Sequence, residues 1–537
     1  MSIHGELPEL AAAVLQPGFA GTTAPDWVRR WLGAGLGGVA LFARNVESPT
    51  QVAALTAQLR SEYPDVIVAI DEEAGDVTRF ESRHGSSRPG NLALGAVDDA
   101  ELTEAVARDL GRELADAGIT LDYAPDADVN SNPNNPVIGV RAFGAEPRLV
   151  ARHTSAFIRG LQSAGVAGCA KHFPGHGDTA VDSHHDVPVI ARSEAELAAC
   201  ELVPFRAAIA AGAQAVMTGH LLVPAWDPEL PATLSPRILT GLLREELGFD
   251  GLIVTDGIEM QGVRRRYGLE GATVRALAAG VDAICVGGDH ADEQTAVRLR
   301  DAIVAAVRSG ELPEERLRDA VARVRRLAAW TTRTQVATGA RAIADAAASA
   351  QVAVLGSTLG FAPGAEVPEL GSTVGYAAAR RAVRVTSTDA GPALPVSGIP
   401  HVVEFAPPRN IAIGSETPWG VGDPLAELLP GTTAVRFEAG DLEPLADPAV
   451  PVLAGSGDRP LVLVVRDVHR HPWIERTLAG VLAVRPDAIV VEMGIPVTVA
   501  GGVHIATHGA TRALGRAAAE IIAGVDVPEP APQPVAA

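Results

Sequence analysis

The 537-residue sequence is of α/β class: a TIM-type (β/α)8-like barrel followed by a second α/β sandwich domain. In the first two-thirds, seven short apolar runs end in polar or charged residues, and each leads into an Ala/Leu/Arg/Glu-rich helical stretch. Near-continuous apolar runs alternating with helices indicate parallel strands covered on both faces. A helical stretch from about Ala296 to Ala344 follows, and then six more short strands restart the rhythm. That second pattern fits an open, layered sheet.

The first runs are Gly38–Arg44, Val66–Asp71, Ile119–Ala124, Ala167–Lys171, Ala215–Thr218, Leu252–Asp256 and Ala283–Val286. Seven units in a barrel of eight leave one strand irregular or unseen. The later strands are Gln351–Gly356, Ala382–Val385, His401–Phe405, Ala434–Phe437, Leu461–Arg466 and Ala488–Glu492. The expected boundaries are a catalytic barrel over 1–335, a linker over 336–350, a sandwich over 351–526 and a tail over 527–537. The tail is Pro-rich, cannot pair, and is expected to be disordered.

A net charge of -21 speaks against nucleic acid or an anionic membrane surface as partner. No uncharged apolar run reaches the ~18 residues of a membrane span. Cys169, Cys200 and Cys285 are odd in number and widely spaced, and they read as free thiols. The start, Met1–Leu7, lacks a cationic lead into an apolar block. A reducing, cytoplasmic setting is therefore expected.

Among 44 cationic residues only Lys171 is a lysine, and it heads the stretch Lys171–Asp186, which holds four histidines and three aspartates. An ammonium is a compact charge with three rotatable donors, and a planar guanidinium cannot fill a spot shaped for it. Parallel strands share one C-terminal rim, so Arg44, Asp71, Asp126, Lys171, His172, His220 and Asp256 should converge there. Asp256, fixed at a strand end beside Gly257, is placed to attack an electrophilic carbon. Asp182 and His184 can share a hydrogen bond that raises the basicity of the imidazole, which can then give a proton and take one back. The same loop offers metal ligands in His172, His176, His184 and His185, but the spacings match no standard pattern. No metal and no cofactor are expected.

These motifs resemble glycoside hydrolase family 3, in particular its β-N-acetylglucosaminidases. Lys171–Thr179 followed by Asp182–His184 is similar to that group's signature, and Ile70–Arg79, Ala124–Gly144 and Val254–Met260 resemble its flanking strand motifs. The resemblance covers about residues 35 to 290. It implies a retaining exo-glycosidase releasing terminal β-linked GlcNAc from chito-oligosaccharides or cell-wall fragments. Asp256 would be the nucleophile and His184, oriented by Asp182, the acid/base. Asp71, Arg79, Arg141, Lys171 and His172 would grip the sugar. Truncating Lys171 should then weaken binding far more than it disturbs the fold.

The partner is then a carbohydrate, with phosphate as an alternative acceptor, because a neutral imidazole does not repel an anion as a carboxylate would. Where the family commonly has Gly-Gly-Arg, this chain has Ala74-Gly75-Asp76, which puts an anion near the expected sugar site. A β-glucosidase or dual enzyme of the same family is the near alternative. A metal-dependent hydrolase built on the His/Asp loop, or a catalytically silent sugar-binding protein, comes from another class.

Overall fold

The computed structural model describes residues 7–179, 187–288, 291–347, 371–389, 391–392, 394–408, 410, 412–414 and 417–525. The expected strand Gln351–Gly356, part of the 336–350 linker, the 527–537 tail, and Asp182, His184 and His185 lie outside them.

The barrel strands are β1 (Leu15–Pro17), β2 (Gly38–Leu41), β3 (Ile67–Ile70), β4 (Leu121–Asp122), β5 (Ala167–Phe173), β6 (Ala215–Thr218), β7 (Leu252–Thr255) and β8 (Ile284–Val286). β2 to β7 pair in chain order, all parallel. β8 joins β7 through the bridge between Val254 and Ala283, pairs with β1, and β1 packs beside β2 to close the ring. Each of the seven expected runs contains a strand, and β1 is the one that was unseen. Its residues are Leu-Gln-Pro, and a polar centre followed by proline carries no strand signal. Gln16 is nonetheless buried, because its side chain meets Tyr123 Oη at 2.6 Å inside the barrel.

The second sheet contains β9 (Arg384–Ser387), β10 (His401–Ala406), β11 (Thr433–Glu438), β12 (Leu461–Val465), β13 (Ile489–Glu492) and β14 (Val503–Ala506). Its order is β11-β10-β12-β13-β14-β9, parallel except for the antiparallel edge β9. Burial follows position: β12 and β13 are buried throughout, while edge strands β11 and β9 are mostly exposed. The sequence reading did not include β14.

The second sheet and its helices dock on the C-terminal loops of the barrel. Arg466 meets Asp76 at 2.5 Å, Arg512 meets Glu81 at 3.2 Å, and Arg381 meets Asp99 at 2.9 Å. The Ser372 hydroxyl donates to Asp109 at 2.6 Å. Asp76, expected as an anion near the sugar site, faces the second domain instead and also accepts from Ala510 N at 2.8 Å.

Candidate active site

Because the strands are parallel, their C-terminal ends present side chains to one rim. Asp71, Glu72 and Glu73 follow β3, Asp126 and Asp128 follow β4, Lys171 and His172 lie on β5, and Asp256 follows β7.

At the centre stands the expected lysine. Lys171 Nζ donates to Asp71 Oδ1 and to Glu73 Oε1, the latter at 2.7 Å. Arg79 Nη2 donates to Asp71 Oδ2 at 2.9 Å. Arg141 forks onto Glu73, with Nη2 to Oε1 at 2.7 Å and Nε to Oε2 at 3.0 Å. Burial alone would raise the Asp71 carboxyl, but Lys171 and Arg79 outweigh it and hold the group well below the usual carboxylate range. Burial likewise opposes the Lys171 charge, and Asp71 and Glu73 reverse that and hold the ammonium above its ordinary value. The network is thus ionised throughout.

Exposure separates the members of this network. The Asp71 side chain is 23% exposed and Arg79 12%, whereas Lys171 is 2% and Arg141 5% exposed. Asp71 and Arg79 are thus the more exposed members of the network, and Lys171 and Arg141 are buried.

His172 Nδ1 donates to Asp128 Oδ2 at 2.8 Å, and Nε2 lies 3.5 Å from Arg141 Nη2. Asp128 Oδ1 accepts from His176 N at 2.6 Å. Burial would raise Asp128, and the neighbouring imidazole of His172 brings it down to about 2. Asp126, Asp128 and His172 place three donor atoms within 4.8 Å of one another, the spacing of a metal site. The Arg141 guanidinium lies 3.9 Å from Asp126 Oδ2, so a fixed positive charge already stands where a cation would sit.

Asp256 is held by its backbone. Its N donates to Thr218 O at 3.1 Å, and Gly257 N donates to Asp256 Oδ1 at 2.8 Å. His220 supports the turn, its Nε2 donating to Gly257 O at 3.0 Å. Burial, then the carboxylates of Glu259, Asp256 and Asp71, push the Cys285 thiol well up. Arg44 donates to Phe19 O at 3.1 Å with its guanidinium over the Phe42 ring. Asp182 and His184 lie outside the described residues.

Sequence reading gave no role to Glu73 or Asp128. The available signal was spacing: Asp71-Glu72-Glu73 and Asp126-Ala127-Asp128 put extra carboxylates at strand ends that already carried one. A cavity of about 660 Å³ lies apart from this cluster, between His84 and Ser87 of the barrel and Trp419, Arg436 and Arg516 of the second domain. Within it Arg436 pairs with Glu404 and Arg516 with Glu427.

Comparison with known proteins agrees with this fold. The model of the glycosyl hydrolase family 3 N terminal domain matches residues 22–327. A β-hexosaminidase A of Pseudoalteromonas piscicida is 36% identical over 318 residues, which is 54% of this chain and 53% of that protein. The chain thus spans about half the length of that relative. A β-hexosaminidase of Nitrosomonas eutropha is 39% identical over 285 residues, covering 51% of this chain and 81% of that one. The structure of a glycoside hydrolase family 3 β-N-acetylglucosaminidase from Paenibacillus sp. str. FPU-7 aligns with TM-score 0.80 and 31% identity, covering 97% of both chains. With a barrel whose rim carries the charged set around Lys171, and a family match over more than half its length, the chain belongs to glycosyl hydrolase family 3.

Proposed function

We propose that the protein is a retaining exo-β-N-acetylglucosaminidase acting on terminal β-linked GlcNAc of chito-oligosaccharides or cell-wall fragments. The observation that carries this reading is the ionised Asp71–Lys171–Arg79 set on the rim that also bears Asp256. An ionised carboxylate keeps lone pairs for sugar hydroxyls, and the arginine beside it donates to them. Asp256 attacks the anomeric carbon and forms a glycosyl ester. His184, oriented by Asp182, protonates the departing oxygen and then activates water. The β-hexosaminidase names of the relatives support GlcNAc over glucose.

Turnover of 4-nitrophenyl N-acetyl-β-glucosaminide beside 4-nitrophenyl β-glucoside tests the substrate. Faster glucoside cleavage would overturn the GlcNAc preference. Asp256→Asn should lower kcat by about 10⁴-fold with the fold and sugar binding intact. Activity near wild type in that variant would remove Asp256 as nucleophile. An imidazole in place of a carboxylate as acid/base also supports phosphate as acceptor, so sugar 1-phosphate should form in millimolar phosphate, and its absence would leave water as the sole acceptor.

A further inference from the structure

Between the two arginines of the site runs a chain of hydrogen bonds that leaves the barrel and returns to it. Arg79, whose Nη2 holds Asp71, donates from Nη1 to Ala412 O at 3.0 Å. Ala412 N donates to Asn410 Oδ1 at 2.9 Å. Asn410 Nδ2 donates to Val137 O at 2.5 Å, and that carbonyl also accepts from Arg141 Nη1 at 3.2 Å. Arg141 in turn holds Glu73, the second carboxylate on Lys171. Asn410 and Ala412 follow β10 in the second domain, whereas Val137 lies in the loop after β4 of the barrel.

We propose that Asn410 is a positioning residue: its amide sets the spacing of the two guanidinium groups that fix Asp71 and Glu73 around Lys171. A side-chain amide suits the position, since one planar group offers Ala412 N an acceptor and Val137 O a second donor beside Arg141. Asn135 extends the same bracing, accepting from Val137 N and Ile138 N and donating to His176 O at 2.8 Å. The second domain thereby takes part in the site although its own large cavity lies elsewhere. It does so without touching the reacting atoms.

Other contacts also join the two domains. His469 Nε2 donates to Pro133 O on the same loop at 2.9 Å, and the pairs Asp76–Arg466 and Glu81–Arg512 do not involve Asn410. The proposal rests on the glycosidase reading above, so turnover of 4-nitrophenyl N-acetyl-β-glucosaminide by the wild type is its control. A wild type without turnover defeats that reading and not this one.

With an active wild type, Asn410→Ala should raise KM about tenfold, leave kcat within about threefold, and leave the melting temperature unchanged. Asn410→Asp keeps the shape and the acceptor but turns an oxygen toward Val137 O, so it should raise KM at least as much. His469→Ala should leave KM unchanged. Wild-type KM in Asn410→Ala, wild-type KM in Asn410→Asp, or an equal rise in His469→Ala would each overturn the proposal. A fall in melting temperature that accompanies the KM change would also overturn it, because it would mark undocking rather than positioning.

Discussion

Asp76 of the barrel and Arg466 of the second domain form an ion pair at 2.5 Å with side chains 3% and 13% exposed. Both follow strands, β3 and β12 respectively. Removing one member of a buried pair leaves an uncompensated charge and costs about 3–5 kcal/mol.

Asp76→Arg, which installs the residue the family commonly carries, should therefore separate the domains' stabilities in this chain. Two like charges would face each other, and Ala510 N would lose its acceptor. Chemical denaturation should show a loss of about 3–5 kcal/mol. The double change Asp76→Arg with Arg466→Asp should recover part of it. Full stability in the single variant would show that docking does not use the pair.

Lys171→Met should damage the fold as well as binding, which revises the expectation drawn from sequence. The ammonium is buried between Asp71 and Glu73, so its removal leaves two carboxylates facing each other out of water. Scanning calorimetry should show a loss on the order of 3–5 kcal/mol. Lys171→Arg should not restore it, because Arg79 and Arg141 already fill the flanking positions and a planar fork does not fit between them. An unchanged melting temperature in Lys171→Met would sink this account.

Much of the barrel was legible because a parallel strand buried on both faces must be apolar along its length, and its end must turn polar where it meets the rim. That is why Asp71, Lys171 and Asp256 could be placed on one face before any coordinates. β1 was not legible, because its middle residue is a glutamine whose burial depends on Tyr123, far along the chain. The partner of Asp76 was hidden for a related reason. It was read as an anion near the sugar site, and nothing in the barrel segment shows that Arg466, far along the chain, pairs with it. Glu73 and Asp128 bind other side chains of the site, and a reading that assigns each polar residue to the ligand has no place for such contacts.

Glu72 and His176 should give stability opposite pH dependences. Burial lifts the Glu72 carboxyl from 4.5 to about 7, against hydrogen bonds from Phe80 N and Arg79 N. A folded value above the unfolded one means that the folded state binds the proton more tightly. This contribution, on the order of 3 kcal/mol, is present below pH 4.5 and is lost as pH rises through 7. Burial lowers His176 from 6.5 to about 4, so its contribution is present above 6.5 and is lost as pH falls through 4. Urea midpoints from about pH 4 to 8 separate the two. Relative to wild type, Glu72→Gln should gain stability as pH rises from 4.5 to 7 and change no further above that. His176→Asn should gain relative to wild type as pH falls from 6.5 to 4. A pH-independent difference in either variant would mean that the group keeps its ordinary titration in the folded protein.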